Sequence, residues 1–147
     1  MNASTAPLLP TTVAALPQMD LTGFRQLLGQ LRGTPVVVNI WSSQCGPCRG
    51  EAPRLAEAGK RYGDRVQFLG VDNQDTRSLA QQFIAQYRWT YPSVFDPDQS
   101  ILHGLYFVGP PVTLFYDRSG KLAETPSLSL TPETLAAGIQ KILAAPE

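Results

Sequence analysis

The run Pro35-Val-Val-Val-Asn-Ile-Trp41 constrains the fold more than any other stretch of this chain. It is continuously apolar rather than alternating. A strand with one wet face alternates, whereas a strand buried on both faces does not, so this run predicts a central strand with helices packed above and below it. Helical spacing flanks it. Apolar residues at 21, 24, 27, 28 and 31 predict a helix from Asp20, a plausible N-cap, to a stop at Gly33. A second helix is expected from Pro47 to about Tyr62, kinked by Pro53.

The remaining pattern completes an α/β arrangement. Thr11 to Ala15 is a weak first-strand candidate, and Arg65 to Val71 reads as a strand. Asp75 to Tyr87 is an amphipathic helix with apolar positions 79, 80, 83, 84 and 87. Tyr91 to Gln99, with two prolines and two aspartates, reads as a turn-rich loop, and Ser100 to Tyr106 as a short helix. Val112–Tyr116, the turn Asp117–Gly120 and Lys121–Thr125 give a hairpin signal. Thr131-Pro-Glu-Thr opens a last helix with Thr131 as N-cap. Residues 1–10, small, polar and broken by proline, are expected to be a flexible arm or linker, and 11–147 a single domain. The arm has neither a basic n-region nor an apolar h-region. It therefore fits a cytosolic chain, or an exported one whose signal has been removed.

Composition narrows the function. The 12 basic and 12 acidic side chains cancel, which argues against nucleic acid or an anionic membrane surface as main partner. No apolar run approaches the roughly 20 residues that a spanning helix needs. The two cysteines are too few for a disulfide-stapled mini-protein.

Both cysteines lie in Cys45-Gly46-Pro47-Cys48, directly after the buried strand and at the start of a helix. Residues i and i+3 across a first helical turn bring two sulfurs within bonding reach. Cys45 then faces free N–H groups at the positive end of the helix dipole. That setting favours a thiolate and lowers its pKa below the free value of about 8.5. Cys48, deeper in the helix, is placed to attack a mixed disulfide from within. Cys45 is thus the expected nucleophile and Cys48 the resolving thiol. A zinc site would need four ligands, and beyond these two cysteines there is one histidine, His103. A structural disulfide is a poor rival, because a bridge closing two residues removes little chain entropy. No metal or organic cofactor is expected.

Trp41-Ser-Ser-Gln-Cys-Gly-Pro-Cys-Arg49 resembles the active-site segment of thioredoxin-fold proteins, and Val108-Gly-Pro-Pro111 ahead of a strand resembles that fold's cis-proline loop. The resemblance implies a thioredoxin fold, a central mixed sheet flanked by helices, with Pro111 as the cis residue. It also implies a substrate-binding surface made from Trp41, Gly46, Pro47, Pro110 and Pro111. The 63 positions from Cys48 to Pro111 leave room for a strand-helix insert before the cis-proline. Val71-Asp-Asn73, Tyr91-Pro-Ser-Val-Phe-Asp-Pro-Asp98, Tyr106-Phe-Val-Gly109 and Cys48-Arg-Gly-Glu-Ala-Pro53 are similar to the TlpA/ResA-like branch. Members of that branch are usually extracytoplasmic thiol–disulfide oxidoreductases, and many are reductases serving cytochrome c maturation. The partners so implied are protein thiol or disulfide substrates and a redox recycling partner that could be membrane-embedded. A monomer is expected.

Several positions depart from the pattern. Asn39 stands where thioredoxin has a buried aspartate, so the proton-transfer group is sought in Glu51, one turn beyond Cys48. The alternative for Glu51 is an ordinary solvent-facing glutamate near the helix start. Gln44 replaces a second tryptophan, Val112 follows the cis-proline, and Pro110 removes the N–H with which an extended substrate would pair. Trp41 is expected to be mainly a packing wall, and Tyr87, Trp89 and Tyr91 to be packing rather than a partner surface. Three rival functions remain: a disulfide-donating oxidase on the same fold, a peroxidase, and a non-catalytic client-binding module. A peroxidase needs a Thr-x-x-Cys-like context and a distant resolving cysteine, and the chain has neither. The binding module would carry a pair that does not react with alkylating reagent.

Overall fold

The computed structural model describes residues 6–123 and 126–146. In chain order they form α1 (Leu21–Gln30), β1 (Val36–Trp41), α2 (Gly46–Tyr62), β2 (Gln67–Asn73), α3 (Arg77–Tyr87), β3 (Ser93–Asp96), α4 (Ser100–Gly104), β4 (Val112–Tyr116) and α5 (Pro132–Ala144). The sheet order is β3-β2-β1-β4, with β1 parallel to β2, β2 parallel to β3, and β4 antiparallel to β1. It is a mixed sheet, as expected.

The apolar run is the centre of the sheet, and all six residues of β1 are buried. Because side chains alternate along a strand, the run feeds two cores. Val36, Val38 and Ile40 pack with Phe24 and Leu27 of α1 and with Ile101 and Leu102 of α4. Val37 and Trp41 pack on the other face with Cys48, Ala52 and Leu55 of α2, Phe83 of α3, and Ile139 and Ile142 of α5. Each such side chain contributes roughly 1.5–3 kcal/mol of burial, which is why none of the strand's residues is polar except Asn39. Asn39 is satisfied across the sheet, donating from Nδ2 to Thr113 Oγ1 at 3.2 Å.

Helix ends follow the caps read from sequence. Asp20 accepts from Gly23 N–H at 2.9 Å, and Gly33 ends the α1 segment at φ 101°, a conformation that favours glycine. Thr131 and Thr134 close a reciprocal cap on α5. Pro53 lies inside α2, which continues to Tyr62. Ala6 to Pro10 lie against α1, where Leu8 N–H donates to Gln30 Oε1 at 2.8 Å. The rest of the expected arm lies outside the described residues.

Three expectations differ from the structure. Thr11–Ala15 forms bends and turns rather than a strand. Pairing at that sheet edge falls instead on Gln18, bridged to Phe95, with Pro17 carbonyl and Met19 N–H bonded to Phe95. Pro17 lacks an N–H, so the ladder does not extend. The supposed loop 91–99 contains β3: its two prolines, at 92 and 97, sit just outside the strand, and Asp96 turns to cap the N–H groups of Ser100 and Ile101. Between them β3 and α4 supply the strand-helix insert. The hairpin turn forms at Asp117–Gly120, but among the described residues the chain beyond it pairs with β4 by isolated bridges, Tyr116 with Leu122 and, past the expected leg, Thr113 with Ser127. Residues 124 and 125 of that leg lie outside the described residues.

One glycine in the core is forced by close approach. A Cβ on Gly70 of β2 would overlap the Ser93 hydroxyl and come within 2.7 Å of Trp41 Nε1. Those two groups are themselves bonded, Trp41 Nε1 donating to Ser93 Oγ at 3.3 Å. Gly70→Ala is expected to lower stability by about 1–3 kcal/mol, the usual cost of overpacking. A denaturant melt checks this; an unchanged midpoint would mean the strands can move apart.

Candidate active site

β1 delivers Trp41 and then the turn Ser42–Gln44, which leads into α2. Cys45 is the N-cap of α2: its backbone is extended, and its sulfur accepts from Cys48 N–H at 3.2 Å. Pro47 occupies the first turn, where a missing N–H costs nothing. The cysteines are bonded to each other, with Cα atoms 5.2 Å apart, inside the range a disulfide spans without moving backbone. Cys45 is half-buried, whereas Cys48 is only 3% exposed. The outer and inner sulfurs read from the sequence are therefore physically distinct.

The turn before Cys45 is held on several sides. Ser42 carbonyl accepts Cys45 N–H at 3.2 Å. Arg49 of α2 donates to Ser43 carbonyl at 2.8 Å. From the far side, Asp75 accepts from Ser43 N–H at 2.9 Å and from Ser43 Oγ at 2.7 Å.

Trp41 is 0% exposed and stacks on Phe83 with centroids 4.6 Å apart, while Trp89 meets it edge-on at 5.0 Å. With no accessible surface, Trp41 stands as the wall behind the motif. Trp89 and Tyr91 are buried too, with Trp89 Nε1 bonded to Ala52 carbonyl at 3.1 Å. Gly46 and Pro47 are exposed, Pro110 is half-buried and Pro111 is buried. The Pro110–Pro111 peptide is cis.

Glu51 is not the solvent-facing glutamate of the bland alternative. It is 5% exposed, and its Oε2 accepts Leu130 N–H at 2.9 Å while Oε1 has no partner. Burial raises its pKa above the ordinary carboxylate value, against the lowering effects of the Leu130 bond and the Arg54 charge.

Sequence reasoning missed a pair of carboxyl groups at this site, Asp72 and Asp75. Asp72, on β2 directly opposite Trp41 in register, is fully buried with neither oxygen partnered by a donor. Burial, then its contact with Asp75 and that group's charge, push its pKa up to about 9. Asp75 goes the other way. Burial opposes its ionisation, but bonds from Asp72, Ser43 and Thr76 outweigh that and hold its pKa below the usual range. The signal was present in the strand period: Phe68, Gly70 and Asp72 share the face on which Trp41 packs.

Comparison with known proteins agrees with this geometry. Residues 13–125 match the model of the AhpC/TSA family. The chain is 33% identical over 125 residues to the thiol-disulfide oxidoreductase ResA of Bacillus anthracis, covering 84% of this chain and 72% of the relative. Among solved structures, a DsbF homologue from Corynebacterium diphtheriae is 30% identical with a TM-score of 0.69, over 77% of this chain and 74% of that one. A secreted Mycobacterium tuberculosis disulfide oxidoreductase homologous to Escherichia coli DsbE shares the fold at 23% identity and a TM-score of 0.68, over 76% of this chain and 84% of that one. A disulfide at the mouth of α2, a cis-proline before β4 and these relatives lead to one assignment: the chain belongs to the AhpC/TSA family, in its ResA-like branch of thiol–disulfide oxidoreductases.

Proposed function

We propose that Cys45 and Cys48 exchange electrons with protein substrates, and that the chain runs mainly as a reductase. In that direction Cys45 thiolate attacks a substrate disulfide, one substrate sulfur leaves as a thiolate and takes a proton, and a mixed disulfide forms. Cys48 thiolate then attacks Cys45, the second substrate thiol is released, and the protein is left oxidised. One observation carries the assignment: the outer sulfur is half-buried at a helix N-terminus, while its partner is 3% exposed behind it. The Gly-Pro dipeptide is also thioredoxin's, which favours a potential near −270 mV over the roughly −120 mV of strong oxidants.

Several finer readings belong to the same proposal. Glu51 moves the proton of Cys48. Gly46, Pro47, Pro110 and Pro111 border the substrate, and the protein works as a monomer in an extracytoplasmic compartment, recycled by a redox partner at the membrane. Support comes from the resemblance to the TlpA/ResA-like branch; among the described residues no helix is long and apolar enough to cross a membrane. Reduction within cytochrome c maturation, or of other extracytoplasmic thiols, is the role that fits this branch.

The test is equilibration of the Cys45–Cys48 couple against glutathione or dithiothreitol, followed by tryptophan fluorescence. A potential below about −220 mV supports the reductase, and one above about −160 mV makes the protein a disulfide donor instead. Absence of any transition would overturn the enzymatic reading.

Pro110 sets how substrate is held. It offers a carbonyl but no N–H to an extended peptide, so one half of a strand-like contact is missing. Pro110→Ala is expected to tighten an extended peptide about 3- to 10-fold, the worth of one net hydrogen bond. Fluorescence polarisation with a labelled peptide measures it, and unchanged affinity would mean substrates do not pair with this loop.

A further inference from the structure

Two carboxylates that face each other repel unless a proton lies between them. Asp72 and Asp75 are such a pair, and their surroundings leave few alternatives. Asp72 is 0% exposed, neither of its oxygens has a donor partner, and its sheet neighbours Trp41 and Phe95 carry no charge. The charged groups on elements packed around it are engaged elsewhere. Arg77 of α3 donates to Leu16 carbonyl and lies 4.5 Å from the Phe95 ring centroid. Glu51 of α2 is bonded to Leu130, and Asp96 of β3 to Ser100 and Ile101. That leaves Asp75 as the carboxyl that Asp72 meets. Asp75 in turn accepts from Ser43 N–H, Ser43 Oγ and Thr76 N–H, and Ser43 stands two residues before Cys45.

We propose that Asp72 and Asp75 share one proton, and that this protonated pair is the latch that holds the Ser43 turn, and with it Cys45, in position to react. Asp75 is the positioning residue; Asp72 donates its proton to Asp75 and so lets that half-buried carboxylate keep its grip without a second negative charge beside it. Deprotonation of Asp72 places two charges in one buried site and loosens the turn. The inference rests on Cys45 as the attacking thiolate.

Asp72→Asn decides it, because an amide N–H can replace the shared proton yet cannot titrate. In the oxidised protein, where neither cysteine titrates, tryptophan fluorescence of wild type is expected to change in one step near pH 9, and the variant to lack that step. Stability gives a second readout. The folded-state pKa of Asp72 lies above its unfolded value of 3.8, so between there and about 9 the folded chain binds more protons. Wild-type stability therefore falls as pH rises through this window. The melting temperature of Asp72→Asn minus that of wild type should grow from pH 4 to pH 9 and level off above. In the reduced protein, Asp72→Asn should keep the wild-type rate of Cys45 alkylation at pH 7 within about twofold. Asp75→Ala should slow disulfide exchange about 10- to 100-fold through misplacement of Cys45. Ser43→Ala, a milder cut, removes one of the two Asp75–Ser43 bonds and serves if Asp75→Ala does not fold; it should slow exchange about threefold or more. An alkaline step that persists in Asp72→Asn, or wild-type exchange rates in Ser43→Ala and a folded Asp75→Ala, would overturn the latch. A wild-type Cys45 that does not alkylate at all would instead overturn the nucleophile, and the fluorescence step in the oxidised protein would be read independently of that.

Discussion

With Cys48 replaced by serine, the protein is expected to capture its substrates through Cys45 and fail to release them. Cys45 keeps everything that makes it reactive in this variant: the N-cap position on α2, partial exposure and the helix dipole. What is lost is the buried sulfur that attacks the mixed disulfide from behind. Turnover of a disulfide substrate should fall by roughly 10³-fold or more, the scale on which loss of a covalent partner acts. Non-reducing electrophoresis should show a new band that disappears with dithiothreitol. Cys45→Ser should lose turnover to the same degree and show no such band, since Cys48 is 3% exposed and an incoming disulfide has little access to it. Capture by Cys45→Ser, with none by Cys48→Ser, would reverse the roles of the two sulfurs.

The parts of this fold that were legible in the sequence are those set by local rules. β1 was legible because burial on both faces removes every polar alternative except one amide, and α1 and α5 because Asp20 and Thr131 are efficient caps. β3 was not, because its four residues lie between prolines whose turn character outweighs so short a run. Its strand state comes from pairing with β2, a contact about twenty residues away in sequence. The return leg beyond Asp117 misled in the opposite sense: the turn chemistry is right, but β4 finds its partner in β1 rather than in its chain neighbour. At the site, the two cysteines and Pro111 could be read from spacing and resemblance, whereas Asp72 and Asp75 could not. Asp72 falls within Val71-Asp-Asn73, but that resemblance gives it no role, and it is the sheet register setting Asp72 opposite Trp41 that shows a carboxyl in the core beside the reactive turn. Asn39 led the search for a proton-transfer group to α2, and the structure adds a buried carboxyl on the next strand.

Glu51→Gln is expected to slow the resolving step about 100-fold while leaving the fold intact. The two effects separate because the side chain has two tasks on two oxygens. Oε2 accepts Leu130 N–H, and a glutamine carbonyl oxygen does the same, so the segment entering α5 stays anchored. Oε1 is buried without a partner, three residues past Cys48 along α2, and under the proposed function it is the oxygen that takes the Cys48 proton as that thiol becomes a nucleophile. Glutamine cannot take it. Burial raises the Glu51 pKa, so the carboxyl stays protonated to a higher pH than an exposed glutamate and acts as base only above that point. The wild-type resolution rate, measured by stopped-flow release of a preformed mixed disulfide, should therefore fall as pH drops through the Glu51 pKa, and the Gln variant should lack that limb. Glu51→Ala should lose the same limb and also stability, by about 1–3 kcal/mol, because it leaves Leu130 N–H buried without an acceptor. A Gln variant that resolves at the wild-type rate across the whole pH range would reduce Glu51 to the anchor of Leu130.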